Sequence, residues 1–276
     1  MRLPWGIPSA SLARCLRSDI ISSNPFRKKR FRMKMIFKPM ATKLARLYGL
    51  LATFPFRFRN NQISKPENVS HEKWVDYLSK TFNKKGLRVL EIGSRNVTGA
   101  NLRNRFSNAD YVGFDFYAGE NVDVVGDAHK LSTYFTGQEK FDLIFSSAVF
   151  EHLFMPWVAA LEIQKLLKVG GYVFIETHFS FSSHERPWHF FQFSDMGLRA
   201  LFNDSLGFDL IESGMSNPIS GYFAHNADGY LKHSLVTELY CHSEILCRKR
   251  CDIEDFEWSN VSIDGIVEGT RYPLPK

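Results

Sequence analysis

Apolar and polar positions alternate in strand-like and helix-like segments from about residue 70 onward. Short apolar runs of this kind are typical of buried strands. They are RVLEIG (88–93), YVGFDF (111–116), VDVVGDA (122–128), FDLIFSSA (141–148), YVFIETHF (172–179), GFDLIES (207–213) and ELYCHSEILCRK (238–249).

Helical spacing of apolar residues occupies several of the intervals between these runs. HEKWVDYLSKTF (71–82) follows Ser70 as the expected N-cap, and SDMGLRALFND (194–204) begins at Ser194 as a second cap. MPWVAALEIQKLLKVGG (155–171) is expected to be helical up to its glycine pair. Strands separated by helices need crossover connections, which predicts an α/β fold with a mainly parallel sheet covered on both faces.

The charge divides the chain into a basic arm and an acidic body. Residues 1–66 contain 15 Lys and Arg and a single acid, Asp19, whereas the remainder contains 20 Lys and Arg and 28 Asp and Glu. A nucleic-acid-binding domain should itself carry the basic face, so there is no strong case for nucleic acid as a partner. We predict three regions: a basic arm (1–66), a catalytic domain (67–250) and an acidic extension (251–276).

The purpose of the arm stays open among three interpretations. It contains the basic run RKKRFRMKMIFK (27–38) and a basic amphipathic segment, MATKLARLYGLLATF (40–54). It is a targeting presequence, a weak contact with an anionic membrane, or a solvated extension upstream of a later start. The most apolar stretch, 47–56, is too short to span a membrane, so no transmembrane segment is expected.

Cysteine usage points to a reducing compartment. The four cysteines have no CxxC spacing and are too sparse for a disulfide framework. Cys241 and Cys247 are an even number of residues apart on one strand, which is typical of a buried strand face rather than of a metal site. We therefore predict a cytoplasmic protein without a metal, with organellar targeting by the arm as the alternative.

The stretch RVLEIGSRNVTGANL (88–102) is the first candidate for chemistry. Gly93 ends an apolar strand, where a glycine lets the backbone approach a ligand, but Arg95 stands where a pyrophosphate loop would have another glycine. Asp115 ends the second strand, where a carboxylate can accept hydrogen bonds from a ribose diol. Asp127 follows the third and can accept from an adenine amine. Together they predict a site for an adenosine with a small anionic group.

These pieces, in this order, resemble the class I S-adenosylmethionine-dependent methyltransferases, especially the type 11 small-molecule group. The matching motifs are VLEIGSRNVTG, YVGFDF, VVGDAHKL, FDLIFSSAVFEHL and LLKVGGYVFIETH. The resemblance implies a Rossmann-like, doubly wound sheet of seven strands, mostly parallel with an antiparallel last strand, and S-adenosylmethionine as the cofactor. The residues that it implies for cofactor binding are Glu91 and Gly93 at the methionine end, Ser94 and Arg95 beside them, Asp115 and Phe116 at the ribose, Asp127 and Ala128 at the adenine, and Ser146 on the floor. Whether Arg95 pairs with the cofactor carboxylate or crowds the loop stays open.

The expected reaction is methyl transfer to an oxygen of a small molecule, a sugar or a phenol. A neutral oxygen acceptor needs a base, and we name His152 and His189 as the catalytic candidates, with His178 and His184 as further histidines nearby. The loop SHERPWHFFQFS (183–194) offers stacking faces and a charge to such an acceptor. The alternatives are an RNA methyltransferase that uses the basic arm, and a non-catalytic binding module with the same fold.

Overall fold

The computed structural model describes residues 43–44, 46–51, 54, 63, 65–97, 99 and 101–268. The chain divides into two compact units, Met1–Phe58 and Arg59–Lys276. In the first unit the described residues 43–44 and 46–51 are helical, within the predicted amphipathic segment, while the basic run at 27–38 lies outside the described residues. No helix in the described part of the chain is long and apolar enough to cross a membrane.

A seven-stranded sheet organises the second unit, in the order β3-β2-β1-β4-β5-β7-β6. Neighbouring strands from β3 to β5 are parallel, and β7 runs antiparallel to both β5 and β6. This confirms the predicted sheet, including its antiparallel last strand. The strands are β1 (Arg88–Ile92), β2 (Asp110–Asp115), β3 (Val124–Val125), β4 (Phe141–Ser147), β5 (Leu167–His178), β6 (Phe208–Tyr222) and β7 (Leu235–Lys249).

The strand order reverses between β1 and β4, and this reversal positions the site. The chain leaves β1 toward β2 on one side, whereas β4 pairs with the other side of β1. In an open parallel sheet the connections on the two sides diverge at such a point and leave a crevice beyond the carboxyl ends of the strands. The loops after β1, β2, β3 and β4 therefore face one region.

Helices cover both faces of the sheet, most of them short. The α-helices are α1 (Trp74–Phe82), α2 (Pro156–Leu166), α3 (Asp195–Leu201) and α4 (Ile263–Val267). Tighter 3₁₀ turns supply much of the remaining cover. They are Leu102–Phe106, Ala128–Phe135, Phe150–His152, Asp204–Leu206 and Trp258–Asn260.

Two predicted helix ends are wrong. The helix after Ser70 begins only at Trp74, because a preceding turn uses the Ser70 carbonyl to accept from the Lys73 and Trp74 N–H groups, and the Ser70 hydroxyl caps nothing. The helix α2 ends at Leu166 rather than at the glycine pair. Leu167 already pairs with Phe141 of β4, so tertiary pairing overrides local helix propensity. The predicted cap at Ser194 is confirmed, since its Oγ accepts from the Gly197 N–H at 3.0 Å.

The core has two layers, one on each face of the sheet. One packs α2 and α3 against the sheet around Phe150, Ile163 and Leu198. The other packs α1 around Trp74 and Phe106. The segment after β7 lies on the first layer through three partly buried apolar side chains, Ile253, Phe256 and Trp258.

Candidate active site

Gly93 directly follows β1, where the chain turns toward the crevice. Its φ is +89°, in the left-handed region that favours glycine. A Cβ atom at this position would lie 2.2 Å from Cγ2 of Val149, on the loop after β4. The backbone of β1 therefore touches the β4 loop directly, and only glycine allows this contact.

Glu91 lies just before this turn and is almost fully buried. Burial raises the pKa of its carboxyl to about 7, although the Tyr111 hydroxyl, which donates to Oε2, and the nearby Arg103 charge oppose the shift. A carboxyl with this pKa is only partly ionised in neutral solution, and a nearby cation favours its ionised form. The position suits the cationic end of a ligand.

Arg95 and Asp115 contact each other across the mouth of the crevice. The Arg95 backbone N–H donates to Oδ2 of Asp115 at 3.3 Å, and the Arg95 Nε lies 3.4 Å from Oδ1. Oδ1 also accepts from the Tyr117 N–H at 2.9 Å. The guanidinium thus forms an ion pair, without an aligned hydrogen bond, with a carboxylate that the sequence assigns to a ribose diol.

The other residues predicted near β1 and β2 have different surroundings. The Ser94 hydroxyl is buried and has no hydrogen-bond partner among the described residues. The Ser146 hydroxyl donates to the Ile92 carbonyl at 3.0 Å and so joins β4 to β1. Phe116 exposes 58% of its surface and meets the Tyr117 ring edge-on at 5.0 Å, which leaves its face open.

Asp127 caps the 3₁₀ turn after β3 and is held by a histidine that sequence reasoning missed. Its Oδ1 accepts from the His129 N–H at 2.9 Å and lies 2.6 Å from the His129 Nδ1. Burial raises the pKa of Asp127, but these two contacts outweigh it and leave the pKa below its usual value. The His129 Nε2 accepts from the Met155 N–H at 3.3 Å, so this pair joins the β3 and β4 loops, beside the buried Ala128. The signal in the sequence was the histidine in GDAHK.

His152 lies at the end of a short 3₁₀ turn after β4. Its Nδ1 is 2.7 Å from the Trp188 carbonyl oxygen. A carbonyl only accepts, so in the neutral ring Nδ1 carries the hydrogen and Nε2 carries the lone pair. This Nε2 lies 3.9 Å from Oε1 of Glu151 and 4.0 Å from Oε2 of Glu185.

Two histidines of the loop 183–194 surround the His152 ring. The centroids of His184 and His189 lie 4.9 Å and 5.8 Å from that of His152. The His189 Nδ1 accepts from the His184 N–H at 3.3 Å, so its Nε2 carries the hydrogen. That Nε2 is buried and has no partner among the described residues, which marks a place for an acceptor atom.

Glu151 is fully buried beneath these rings. Its Oε2 accepts from the Thr177 hydroxyl at 2.6 Å, and its Oε1 lies 2.7 Å from Nδ1 of His178, a close approach without the alignment of a hydrogen bond. Burial raises the pKa of Glu151, yet the contacts with His178 and Thr177 outweigh it and lower the pKa below its usual value. The carboxylate is therefore ionised and fixes the histidines around it.

A family model described as a methyltransferase domain matches residues 63–207, more than half of the chain. The chain belongs to this methyltransferase family. The match confirms the predicted class I, type 11-like methyltransferase, with S-adenosylmethionine as its methyl donor. No curated protein sequence matches the chain significantly.

Solved structures similar to this methyltransferase have low sequence identity to it. A S-adenosylmethionine-dependent methyltransferase from Archaeoglobus fulgidus is 16% identical over 65% of this chain and 95% of its own, with a TM-score of 0.46. The 1,6-didemethyltoxoflavin-N1-methyltransferase of Burkholderia thailandensis is 13% identical over 64% and 76%, with a TM-score of 0.45. TehB from Haemophilus influenzae is 20% identical over 64% and 67%, with a TM-score of 0.38. Likeness at this level carries no information about the acceptor.

The crevice of this methyltransferase has polar groups that suit its cofactor. The Ser94 hydroxyl, directly after Gly93, is buried and has no partner among the described residues. Glu91 and Asp115 are carboxyl groups near the carboxyl ends of the adjacent strands β1 and β2, where an open parallel sheet binds its ligand. One feature does not fit a plain cofactor site: Arg95 contacts Asp115, the carboxylate predicted to bind the ribose.

Proposed function

We propose that this methyltransferase methylates an oxygen atom of a small-molecule acceptor, a sugar or a phenol, with His152 as the general base. The observation that carries the proposal is the hydrogen bond between Nδ1 of His152 and the Trp188 carbonyl, because it leaves the Nε2 lone pair free for a proton. S-adenosylmethionine supplies the electrophilic methyl group when it is bound. As the acceptor oxygen attacks, His152 takes its proton at Nε2.

His189 is proposed to position the acceptor rather than to deprotonate it. Its Nδ1 already accepts a hydrogen bond, so the buried Nε2–H can only donate. A donor beside a base holds a hydroxyl oxygen in one orientation, and orientation is the main requirement of an in-line displacement. His152 and His189 therefore have different roles in the proposal.

Exposed aromatic rings at the same loops support an acceptor with a flat face. Phe154, Trp188 and Phe190 are between 43% and 59% exposed, and the Phe190 ring lies 6.2 Å from Phe154 and 6.3 Å from Trp188. Rings in this arrangement can stack on a sugar or a phenol. Glu185 and Arg186 in the same loop are exposed and can meet polar substituents.

The cofactor contacts are proposed as the family resemblance implies. With the cofactor bound, Glu91 would face its amino group, Gly93 and Ser94 would line its methionine end, and Asp115 would accept from the ribose hydroxyls beside Phe116. Asp127 and Ala128 would lie at the adenine, and Ser146, whose hydroxyl donates to the Ile92 carbonyl, would line the floor. Arg95 must release the Nε contact with Asp115 before both ribose hydroxyls can bind.

The test is release of S-adenosylhomocysteine from the full chain with a panel of sugars, phenols and RNA. We expect turnover with a sugar or a phenol and a loss on the order of 10²–10⁴-fold for His152→Ala. His225→Ala is the matched control, since His225 lies in the loop between β6 and β7, where its ring meets the His233 ring.

Three outcomes contradict the proposal. Full turnover by His152→Ala excludes this base. Release with RNA but with no small molecule favours the RNA methyltransferase. Binding of S-adenosylhomocysteine without turnover on any acceptor favours the non-catalytic module. The pH profile separates base from scaffold, because loss of a base removes the rise of kcat with pH, whereas loss of packing lowers kcat at every pH.

A further inference from the structure

Three side chains with metal-ligating atoms meet where β5 and β7 separate. His178 is the last residue of β5 and pairs directly with His242 of β7, and Cys241 precedes His242. The ligating atoms of His178, Cys241 and His242 all lie within 4.8 Å of one another. Sequence spacing within β7 did not reveal this set, because His178 comes from a different strand.

Two neighbours in sequence have their ligating atoms close together. The Cys241 Sγ and the His242 Nε2 lie 3.7 Å apart. In a tetrahedral zinc site, a sulfur ligand and a nitrogen ligand at their usual bond lengths from the metal lie about 3.5 Å from each other.

The contacts of the two rings leave Nε2 as the ligand atom in each. Oε1 of Glu151 lies 2.7 Å from the His178 Nδ1, and the amide nitrogen of Asn217 lies 3.0 Å from the His242 Nδ1. A carboxylate behind a histidine is the usual outer contact of a zinc ligand, and an amide turned by 180° presents its oxygen in the same role. Glu151 Oε1 and the His178 Nδ1 otherwise have no aligned hydrogen bond among the described residues.

Stacking fixes the orientation of both rings. His178 stacks on Phe181 at 4.5 Å with an angle of 12° between the planes, and His242 stacks on His71 at 3.9 Å with 14°. The rings are held in place before any ligand arrives.

Two buried carboxylates near the set favour a dication. Glu151 and Glu176 lie at this end of the sheet, and both side chains are almost fully buried.

We propose that His178, Cys241 and His242 bind a zinc ion, with the fourth position open to water or to an oxygen ligand. One thiolate and two imidazoles form a donor set that zinc prefers, and three protein ligands with an open position are typical of its reactive sites. The ligand set shares no residue with the neighbouring group Glu151, His152 and His184, although Glu151 lies against His178 of the set. It depends neither on the acceptor nor on the cofactor.

The test measures metal content on the full chain, without an activity assay. The protein is incubated with Zn²⁺, desalted and analysed by mass spectrometry for metals, then stripped with a chelator and reloaded with Co²⁺. We expect about one equivalent of zinc per chain, and for Co²⁺ a thiolate charge-transfer band with the intense visible absorption of four-coordinate cobalt. Zinc content below about a tenth of an equivalent would overturn the proposal.

Variants assign the ligands. Cys241→Ser should lose the charge-transfer band, and His242→Ala should lose most of the zinc, whereas Cys251→Ser should keep both. Cys251 is the matched control because it is an exposed free cysteine beyond the end of β7. Equal loss in Cys251→Ser, or an unchanged band in Cys241→Ser, would refute the assignment.

A thermal shift with S-adenosylhomocysteine shows that each variant is folded. A variant that fails to fold leaves the wild-type stoichiometry and cobalt spectrum to decide. Failure of the proposed function leaves the metal content of the wild type unchanged, so the two failures are distinguishable.

Discussion

Replacing Glu91 by glutamine should change how the stability of the domain depends on pH. The Glu91 carboxyl has a pKa of about 7 in the folded protein against 4.5 when exposed, mainly because it is buried. Between these two values the folded state holds a proton that the unfolded state releases. The free energy of unfolding contributed by this group therefore falls as pH rises from about 4.5 to about 7, and is constant above that.

The size of the effect follows from the shift. At 1.36 kcal/mol per unit, the shift corresponds to about 3 kcal/mol, an upper estimate because the buried group relaxes when it ionises. Glutamine resembles the protonated acid in shape and still offers an oxygen to the Tyr111 hydroxyl, so it removes the ionisation and keeps the packing. Glu91→Gln should gain stability relative to wild type as pH rises.

The assay is urea unfolding followed by tryptophan fluorescence at about pH 5 and about pH 8, without cofactor. The difference between Glu91→Gln and wild type should rise by about 2–3 kcal/mol between the two pH values. Glu254→Gln, which changes an exposed carboxyl, should show no such rise. A flat difference for Glu91→Gln would refute the argument that burial controls this group.

Three further substitutions test the crevice and the core. Gly93→Ala should lower the free energy of unfolding, measured with urea, by about 1–3 kcal/mol, because alanine disfavours the positive φ and its Cβ would clash with Val149. Adding Val149→Ala should restore only the part of this loss that is due to the clash. Arg95→Ala should tighten S-adenosylhomocysteine binding up to about fivefold in calorimetry by freeing Asp115, whereas weaker binding would mean that Arg95 contacts the cofactor itself. The fully buried Lys249 ammonium donates to the Gln164 and Leu167 carbonyls at 2.6 Å and 2.9 Å, so Lys249→Met should lower the free energy of unfolding by about 1–3 kcal/mol for each carbonyl left without a partner. An unchanged urea midpoint would contradict this prediction.

Much of the sheet could be predicted from the sequence because its strands are buried on both faces. The run from Phe141 to Phe145 is apolar except for Asp142, and the structure has a strand there within one residue of the predicted end. β6 continues to Tyr222, well beyond its predicted end at Ser213, because it pairs there with β7 and carries polar residues that give no apolar signal. β7 begins at Leu235 rather than at Glu238. The early end of α2 at Leu166 had the same cause, since pairing with β4 competes with helix there.

For the site, sequence order identified single residues but not their contacts. Gly93, Asp115 and Asp127 follow strands, so their location at one edge of the sheet follows from a parallel topology. The contact of Arg95 with Asp115 and that of His129 with Asp127 join residues on separate loops or around a turn. Strand periodicity carries no information about such contacts.

The sequence by itself determined the fold class, the family and the strand ends where the chemistry lies, because burial on two faces and helical spacing leave periodic marks along the chain. Only the tertiary structure decided which atoms of these residues are free. His152 and His189 look alike as letters, but a carbonyl on one ring and an N–H on the other give them opposite proton roles. Hydrogen-bond partners distant in sequence set those roles, since direction and distance between side chains exist only once the strands have paired.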